Sequence, residues 1–260
     1  MIKLFLTITL MLSSISIFAE TSEQYIHRSE FFFCNFNEGK VYKDLLVEQA
    51  PYEDFLKEKG LQYNRINLLP IWDNDAEYDY VMWGNWPSGQ DQYKEWGAYI
   101  NDYSEWAEKN EVPPQNVGDC EKGAVSMRFH SVLRLRVPME DRDERIFTDW
   151  RRCKFTEDAD VSKLKALYAK QEKLAKEFGL GGYGVSLFTP YRGNQEATNR
   201  DFMMMTHWYN SESRINMISS YREWRDLMED NGMWEERSKH IESCSGADTY
   251  QAHMVYSTHN

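Results

Sequence analysis

The sequence is poor in positive charge for its size. Its 260 residues contain 30 lysines and arginines against 42 aspartates and glutamates, which gives a formal net charge of −12 at neutral pH. Proteins that bind nucleic acids or anionic membranes present a basic surface. The composition therefore excludes nucleic acid as a predicted partner. An apolar share of 42%, with 9 Trp, 16 Tyr and 13 Phe, is nevertheless enough for a sizeable core.

Long hydrophobic runs are also missing, except at the N-terminus. There Lys3 is followed by an apolar stretch, Leu4 to Leu12, and then by small residues up to Ala19. This order is typical of a secretory signal peptide, so we predict that residues 1–19 are removed by cleavage after Ala19. An uncleaved anchor is the alternative. No cysteine stands directly after Ala19, which argues against a bacterial lipid anchor. We expect the mature protein in the periplasm or outside the cell, with no membrane segment.

Cysteine is scarce, with four residues, and no two of them have the close Cys-x-x-Cys spacing that zinc sites prefer. We therefore predict no metal site. In an exported protein, an even number of cysteines suggests disulfides, for which several pairings exist. Buried free thiols are the alternative.

The chain contains a long internal repeat. The segment 34–38 (CNFNE) returns as 153–157 (CKFTE), and 58–61 (EKGL) returns as 177–180 (EFGL). An offset of about 120 residues indicates tandem copies of one structural unit. We predict a first repeat at 20–137, a charged linker at 138–146 and a second repeat at 147–260. Symmetry between the copies favours the disulfides Cys34–Cys120 and Cys153–Cys244.

Each copy is predicted to fold as strand, helix, strand, strand, helix, strand. In the second copy, apolar residues every three or four positions predict a helix that Asp158 or Asp160 can cap and that Gly179 ends. In the first copy, Pro51 should kink or split the matching helix. The second helix of each copy carries an aromatic stripe, which we assign to the core. The order is the ferredoxin-like βαββαβ pattern, with the last strand antiparallel beside the first. The predicted fold class is α+β.

The repeated βαββαβ order resembles the dimeric α/β-barrel superfamily, with both protomers fused in one chain. The resemblance implies two antiparallel sheets that face each other, helices on the outside, and ligands held between the sheets. Members include cofactor-free monooxygenases, proteins that bind or degrade haem, and proteins of unknown role. Haem-degrading members use Asn, Trp and His, with the His on a helix. Asn35 and Trp83 match two of these types, but the predicted helix from Gln90 to Ala107 contains no His. The cofactor is therefore unknown.

Alternation along the predicted strands sorts the side chains into two faces. The apolar face is expected to meet the helices; it carries Phe32, Cys34, Phe36, Ile66, Leu68, Tyr80, Met82, Met127 and Phe129 in the first copy, and Cys153, Phe155, Val185, Leu187, Phe202, Met204, Ala252 and Met254 in the second. The opposite face mixes polar, cationic and aromatic groups. Two such faces closed on each other would form a ligand pocket, whereas an open face would be ordinary solvated surface. The candidate ligand-binding residues on it are His130, His253, Arg65, Arg152, Asn35, Trp83 and His207.

His130 and His253 are the strongest candidates, because both copies place a histidine at the same point of the last strand. An imidazole there can act as acid, base or ligand, and a structural role is the alternative. Arg65 and Arg152 favour an anionic ligand, because guanidinium groups match carboxylates. Internal ion pairs are the alternative for both.

The sequence contains no Ser-centred elbow, P-loop or zincin motif, so no catalytic residue is identified. We predict an exported protein that binds a small anionic or aromatic ligand between its sheets, and whose activity could extend to cofactor-independent oxidation. A non-enzymatic periplasmic interaction or structural protein is the alternative. Both a monomer and a homodimer fit the sequence.

Overall fold

The computed structural model describes residues 27–72, 76–120, 124–193 and 198–258. The predicted signal peptide lies outside these residues. The helices are α1 (Tyr42–Glu58), α2 (Gly89–Lys109), α3 (Val161–Phe178), α4 (Ser211–Ser219), α5 (Tyr221–Asp230) and α6 (Met233–Ser238). The strands are β1 (His27–Phe36), β2 (Asn64–Trp72), β3 (Tyr80–Trp86), β4 (Gly118–Asp119), β5 (Val125–Leu135), β6 (Arg145–Phe155), β7 (Tyr183–Arg192), β8 (Asp201–Trp208), β9 (Ile241–Cys244) and β10 (Asp248–Ser257). Within the described ranges, no helix is long and apolar enough to span a membrane.

The helix ends follow local signals in the sequence. Ser88 caps α2 by accepting a hydrogen bond from the Asp91 amide at 3.2 Å. Asp160 caps α3 as predicted, because its carboxylate accepts from the Lys163 amide at 3.0 Å. The left-handed Gly179, with φ of 83°, ends α3.

Two helix predictions need correction. The first concerns α1, which runs through Pro51 as one helix and does not split there. The second concerns the second long helix of the second half, which forms three short helices instead of one. α4 ends at Ser219, and the positive φ of Gly232, 65°, separates α5 from α6. Glycine adopts this left-handed conformation at little cost, and a helix cannot continue through it.

The eight long strands close into a ring. In the first half the order of neighbours is β5–β1–β3–β2, and in the second half it is β10–β6–β8–β7. The pairs β2–β10 and β5–β7 join the two halves edge to edge, and every pair is antiparallel. The described residues thus form a mixed α+β protein with ten antiparallel strands and six α-helices. The strands make a barrel wall, with an interior and an outer, helix-covered side.

The wall is buried on both sides. One apolar cluster fills the interior; it comprises Phe31, Ile66, Leu68, Val81, Trp83, Met127, Phe129, Trp150, Phe188, Met205, Tyr250 and Ala252. On the outer side of the second half, a second cluster packs α3, α5 and α6 on the wall, with Leu164, Trp224 and Met233 among its buried members. The outer side of the first half carries two smaller clusters, one around Phe55 and Trp86 and one around Leu45 and Tyr80.

Both predicted disulfides are present. Cys34 is bonded to Cys120 and Cys153 to Cys244. The sequence did not predict the short strands β4 and β9, which lie next to these bonds. β4 pairs with the end of β1, and β9 pairs with the end of β6, where Cys244 stands directly opposite Cys153. Each disulfide therefore fastens a short extra strand to the first strand of its half.

Candidate functional site

A cavity of about 270 Å³ lies inside the barrel, at the end of the wall where β1 and β6 finish. Its walls are mainly apolar and come from both halves of the chain. Phe31 and Met127 of the first half and Trp150 and Met203 of the second are among its lining residues. Ligand pockets commonly combine apolar walls with a few polar groups. We therefore treat this cavity, called the interior cavity below, as the candidate site.

Polar groups line the interior cavity beside these apolar walls. Arg152 of β6 and Asp248 of β10 contribute charged side chains to the lining. One Arg152 Nη atom lies 3.9 Å from an Asp248 carboxylate oxygen, and the Arg152 side chain is 69% exposed. The Tyr78 and Tyr250 hydroxyls form a hydrogen bond of 2.6 Å. The lining thus combines one cation, one anion and two hydroxyl groups.

An aromatic cluster fills the centre of the barrel. The rings of Phe31 and Trp83 stack with centroids 5.8 Å apart, and Trp150 and Phe188 pack against them at 5.5 to 5.8 Å and against each other at 5.0 Å. The Trp83 indole N–H donates to Ser29 Oγ at 3.0 Å. Trp83 is thus packed in the interior core.

Three predicted site residues lie on the other side of the wall. Arg65 lies outside on β2, with its guanidinium 5.2 Å from the Tyr63 ring. His130 lies outside on β5, opposite Leu187, and its Nε2 is 3.2 Å from Thr189 Oγ1. His253 lies outside on β10, where its Nδ1 is 2.7 Å from the Tyr42 hydroxyl of α1. The predicted location between the sheets is wrong for all three.

The error arises because three strands, β2, β5 and β10, present the opposite face to the interior from the one that we predicted. The side chains that we expected to meet the helices point inward on these strands; they are Ile66, Leu68, Met127, Phe129 and Ala252. Met254, assigned to the same face, is 48% exposed. Because the wall is buried on both sides, apolar residues occur on both faces of a strand. Alternation then separates the two faces without saying which one is the interior.

Both outward histidines are held neutral by their surroundings. Burial, and then the charges of Lys165 and Arg128, lower the pKa of His130 to about 4. Burial is also the main reason that the pKa of His253 is lowered; Arg145 adds to this effect, while Glu144, 3.0 Å from Nε2, opposes it. A buried neutral imidazole with a hydroxyl partner fits a structural role.

The last two candidates lie at opposite ends of the molecule. His207 is near the end of β8, at the barrel end away from the interior cavity, with its ring 5.0 Å from that of Tyr209. Burial, and then the charges of Arg134 and Arg142, lower the pKa of His207 to about 4. Asn35 is exposed near the end of β1, and its amide donates to the Glu77 carbonyl at 3.5 Å. Of the predicted set, Trp83, Arg152, His207 and Asn35 lie on the inward-facing side of their strands, and of these only Arg152 lines the interior cavity.

Sequence analysis missed several lining residues. Trp150 and Tyr250 stand on predicted strands, but their inward direction follows only from the register of β6 with β10. Tyr78 and Asp248 lie just before β3 and at the first residue of β10, where a sequence pattern gives no direction. Among the described residues, no group of three His, Cys, Asp or Glu side chains could hold a metal ion.

No protein-family model matches the chain, and no protein of curated function matches its sequence. Several solved structures resemble the chain at low identity, with TM-scores below 0.5. One, a protein of Lactobacillus acidophilus provisionally described as a monooxygenase, is 8% identical with a TM-score of 0.49, over 87% of this chain and 94% of that one. A similarly described protein of Fusobacterium nucleatum is 10% identical with a TM-score of 0.45, over 91% and 94%. A chlorite dismutase of Candidatus Nitrospira defluvii, in complex with imidazole, is 11% identical with a TM-score of 0.44, over 88% and 92%. At these identities, function has to be inferred from the residues of this chain.

Proposed function

We propose that this protein binds a small aromatic acid in the interior cavity. The observation that carries the proposal is the cavity itself, which lies between the two halves and combines apolar walls with the side chain of Arg152. Trp150 and Phe31 offer ring faces and edges to an aromatic ligand. The Arg152 guanidinium offers donors to a carboxylate.

The size of the cavity limits the ligand. An apolar cavity of about 150 Å³ is known to accept benzene. The interior cavity, at about 270 Å³, has room for one aromatic ring with an acidic substituent. A ligand of several fused rings would require the wall to move.

Arg152 is the cationic group that an acidic ligand would meet. The protein as a whole carries a net charge of −12, and anions are on average repelled from it. In the lining, Arg152 offsets Asp248, whose carboxylate lies 3.9 Å from one of its Nη atoms. The neighbouring Arg151 guanidinium donates to the Ser245 carbonyl at 3.0 Å.

Calorimetric titration with benzoate, and with benzyl alcohol as its neutral counterpart, tests the proposal. Benzoate should bind more tightly than benzyl alcohol, and Arg152→Ala should weaken benzoate binding by about tenfold or more. Arg222→Ala, which removes an exposed arginine of α5, is the matched control and should bind like the wild type. Oxygen consumption in the presence of phenolic acids would separate an enzyme from a binding protein.

A cavity-filling variant gives a second, independent test. Met203 lines the interior cavity, so Met203→Trp should abolish binding of both compounds while circular dichroism shows an intact fold. The proposal fails if the wild type binds no one-ring acid, or if a folded Met203→Trp variant binds benzoate as the wild type does.

We further propose that the two halves are ferredoxin-like repeats and that the chain is exported. The repeats are supported by the shared order of strands, in which the last strand neighbours the first and the first neighbours the third. Export is supported by the two disulfides, which persist mainly in oxidising compartments. N-terminal sequencing of the secreted protein should begin at Glu20, and a chain that keeps residues 1–19 would contradict cleavage.

A further inference from the structure

A second cavity, of about 560 Å³, lies on the outer side of the first half, between the wall and helices α1 and α2. We call it the helix-side cavity. Four charged residues line it. Glu48 of α1 accepts hydrogen bonds from the Asn116 and Val117 amides at 2.6 and 2.9 Å. The other three are Glu30 of β1, Arg65 of β2 and Glu95 of α2. It separates the two small apolar clusters of the first half, because Leu45 belongs to one and Trp86 to the other, and both line the cavity.

Of these three, Glu30 and Glu95 are buried and Arg65 is half-buried, and they form no ion pair with one another. Glu95 is 4% exposed and Glu30 is 8% exposed. The Tyr52 hydroxyl donates to one carboxylate oxygen of Glu95, and the other oxygen, Oε2, is buried without a hydrogen-bond partner. Arg65 Nε and Nη1 are also buried without a partner. Among the described residues, no ion pair joins Arg65 to either glutamate.

Such an arrangement is costly for a protein that only has to fold. Burial of a charge without a partner is strongly unfavourable, and an unsatisfied buried donor or acceptor adds to the cost. Three charged groups that face one space without closing on each other leave room for a further group between them. A ligand with complementary donors and acceptors would satisfy the groups that the protein leaves unpaired.

The second half keeps only part of this charge pattern. The repeat offsets that match Cys34 with Cys153, Gly60 with Gly179 and Trp96 with Trp224 give the equivalent positions. Glu30 corresponds to Asp149, whose carboxylate is paired with Arg214 at 3.5 Å. Arg65 corresponds to Gly184, and Glu95 corresponds to the exposed Glu223. The outer side of the second half is filled by a continuous apolar cluster. Arg65 and the buried Glu95 thus have no buried, charged counterpart in the second half.

The chemistry of the lining indicates the class of ligand. Three carboxylates against one guanidinium favour a cationic group, and aromatic side chains such as Trp86, Trp96 and Tyr99 favour an ammonium group next to a ring. The unpartnered N–H groups of Arg65 call for an oxygen acceptor on the same ligand. We propose that the helix-side cavity is a second binding site, which takes a small hydroxylated aromatic amine, with its ammonium group at Glu95 and its hydroxyl oxygen at Arg65.

The titration behaviour of the glutamates agrees with this geometry. Burial, and then the charge of Glu95, raise the pKa of Glu30 to about 7, although Arg65 acts in the opposite direction. Burial also raises the pKa of Glu95. An ammonium group placed between them would favour the ionised form of both.

The rim of the cavity offers a way in. Tyr99 and Ile100 of α2 both line the cavity and are 45% and 75% exposed. A change at Ile100 can therefore alter access from the surface without opening a hole in the core. Ile218 of α4, in the second half, is 66% exposed and serves as the control position.

Tyramine is the probe that carries all the required groups, and the full mature chain is the protein to use. Calorimetry should show tyramine binding, with much weaker binding of p-cresol, which lacks the ammonium group, and of 4-hydroxyphenylacetate, which carries the opposite charge. Glu95→Gln should weaken tyramine binding by about tenfold or more, whereas Glu223→Gln should leave it unchanged. Arg152→Ala should also leave it unchanged, which separates this site from the interior cavity.

A surface variant keeps the test valid if Glu95→Gln does not fold. Ile100→Lys places a positive charge at the rim and should weaken tyramine binding by several-fold, whereas Ile218→Lys should not. The proposal is overturned if the folded wild type does not bind tyramine, if p-cresol binds as well as tyramine, or if Ile100→Lys and Ile218→Lys bind it equally.

Discussion

Replacing His130 with glutamine should make the protein less sensitive to mild acid. The imidazole is 9% exposed, and its pKa in the folded protein is lowered to about 4. In the unfolded chain a histidine has a pKa of about 6.5. Between these two values the unfolded chain binds the additional proton and the folded protein does not. The stability that depends on neutral His130 is therefore fully present above about pH 6.5 and is lost as the pH falls toward 4.

The size of the effect follows from the two pKa values. At pH 5 the separation from the unfolded value is about 1.5 pH units, which corresponds to about 2 kcal/mol of unfolding free energy. Glutamine can still hydrogen-bond to Thr189 but cannot take up a proton. His207, whose pKa is lowered in the same way, is present in both proteins and cancels from the comparison.

Urea unfolding of the wild type and His130→Gln, at about pH 7.5 and about pH 5, measures the difference directly. The free-energy difference between the two proteins should shift by about 2 kcal/mol in favour of the variant at the lower pH. His240→Gln changes a histidine that does not contact His130; it is the control, and its unfolding free energy should follow that of the wild type. A difference that stays constant within about 0.5 kcal/mol would refute the reasoning, because it would mean that His130 is not held neutral by the fold.

Three further predictions rest on single features. Replacing both Cys34 and Cys120 with alanine should lower the unfolding free energy by up to about 4.6 kcal/mol, because the disulfide restricts the unfolded chain by joining residues 86 positions apart. A loss of less than about 1 kcal/mol in urea unfolding would contradict this argument from the entropy of the unfolded chain. Trp224→Ala should cost about 3–5 kcal/mol in the same assay, because Trp224 is 5% exposed within the second-half core, while Trp96→Ala, at a half-buried position, should cost less. The raised pKa of Glu30 means that its contribution to stability is present below about pH 4.5 and is lost as the pH rises through 7. Over this range the unfolding free energy of Glu30→Gln should rise by up to about 3 kcal/mol relative to that of the wild type. Parallel curves of unfolding free energy against pH would contradict the raised pKa.

The order of elements could be predicted because its signals are local. Helix caps such as Asp160 and the left-handed Gly179 mark helix ends independently of the rest of the fold. The disulfide pairing could be predicted from the symmetry of the two copies. The break between α4 and α5 was missed, because the stripe from Met217 to Met228 runs across it without an interruption in the sequence pattern.

The direction of the strands could not be predicted from alternation. β2 carries Ile66 and Leu68 on one face and Arg65 and Asn67 on the other, which suggests an inner polar face. In the structure Asn67 points outward and donates to Gln49 of α1 at 2.8 Å, so the polar face meets a polar part of the helix layer. Only knowledge of that partner would have corrected the assignment.

The helix-side cavity left a weak signal in the sequence. Gln92 and Glu95 fall on the same helical stripe as Tyr99, and they are the two buried residues of α2. A carboxylate within an apolar stripe is unusual enough to mark a site. Its partners Glu30 and Arg65 come from two other elements, and no sequence pattern places them together.

The seam between β2 and β10 has a consequence for how the chain reaches its native state. Ser257 and Asn64, which meet across it, are 193 residues apart, so the ring cannot close until the last strand has been made. Until then, the first half exposes two open strand edges, β2 and β5, and open edges invite pairing with other chains. Contacts of such long range also slow folding, because the loop entropy must be lost before they form. A newly made chain should therefore depend on protection from aggregation until its C-terminus arrives, and a fragment that ends after β5 should self-associate through these two edges.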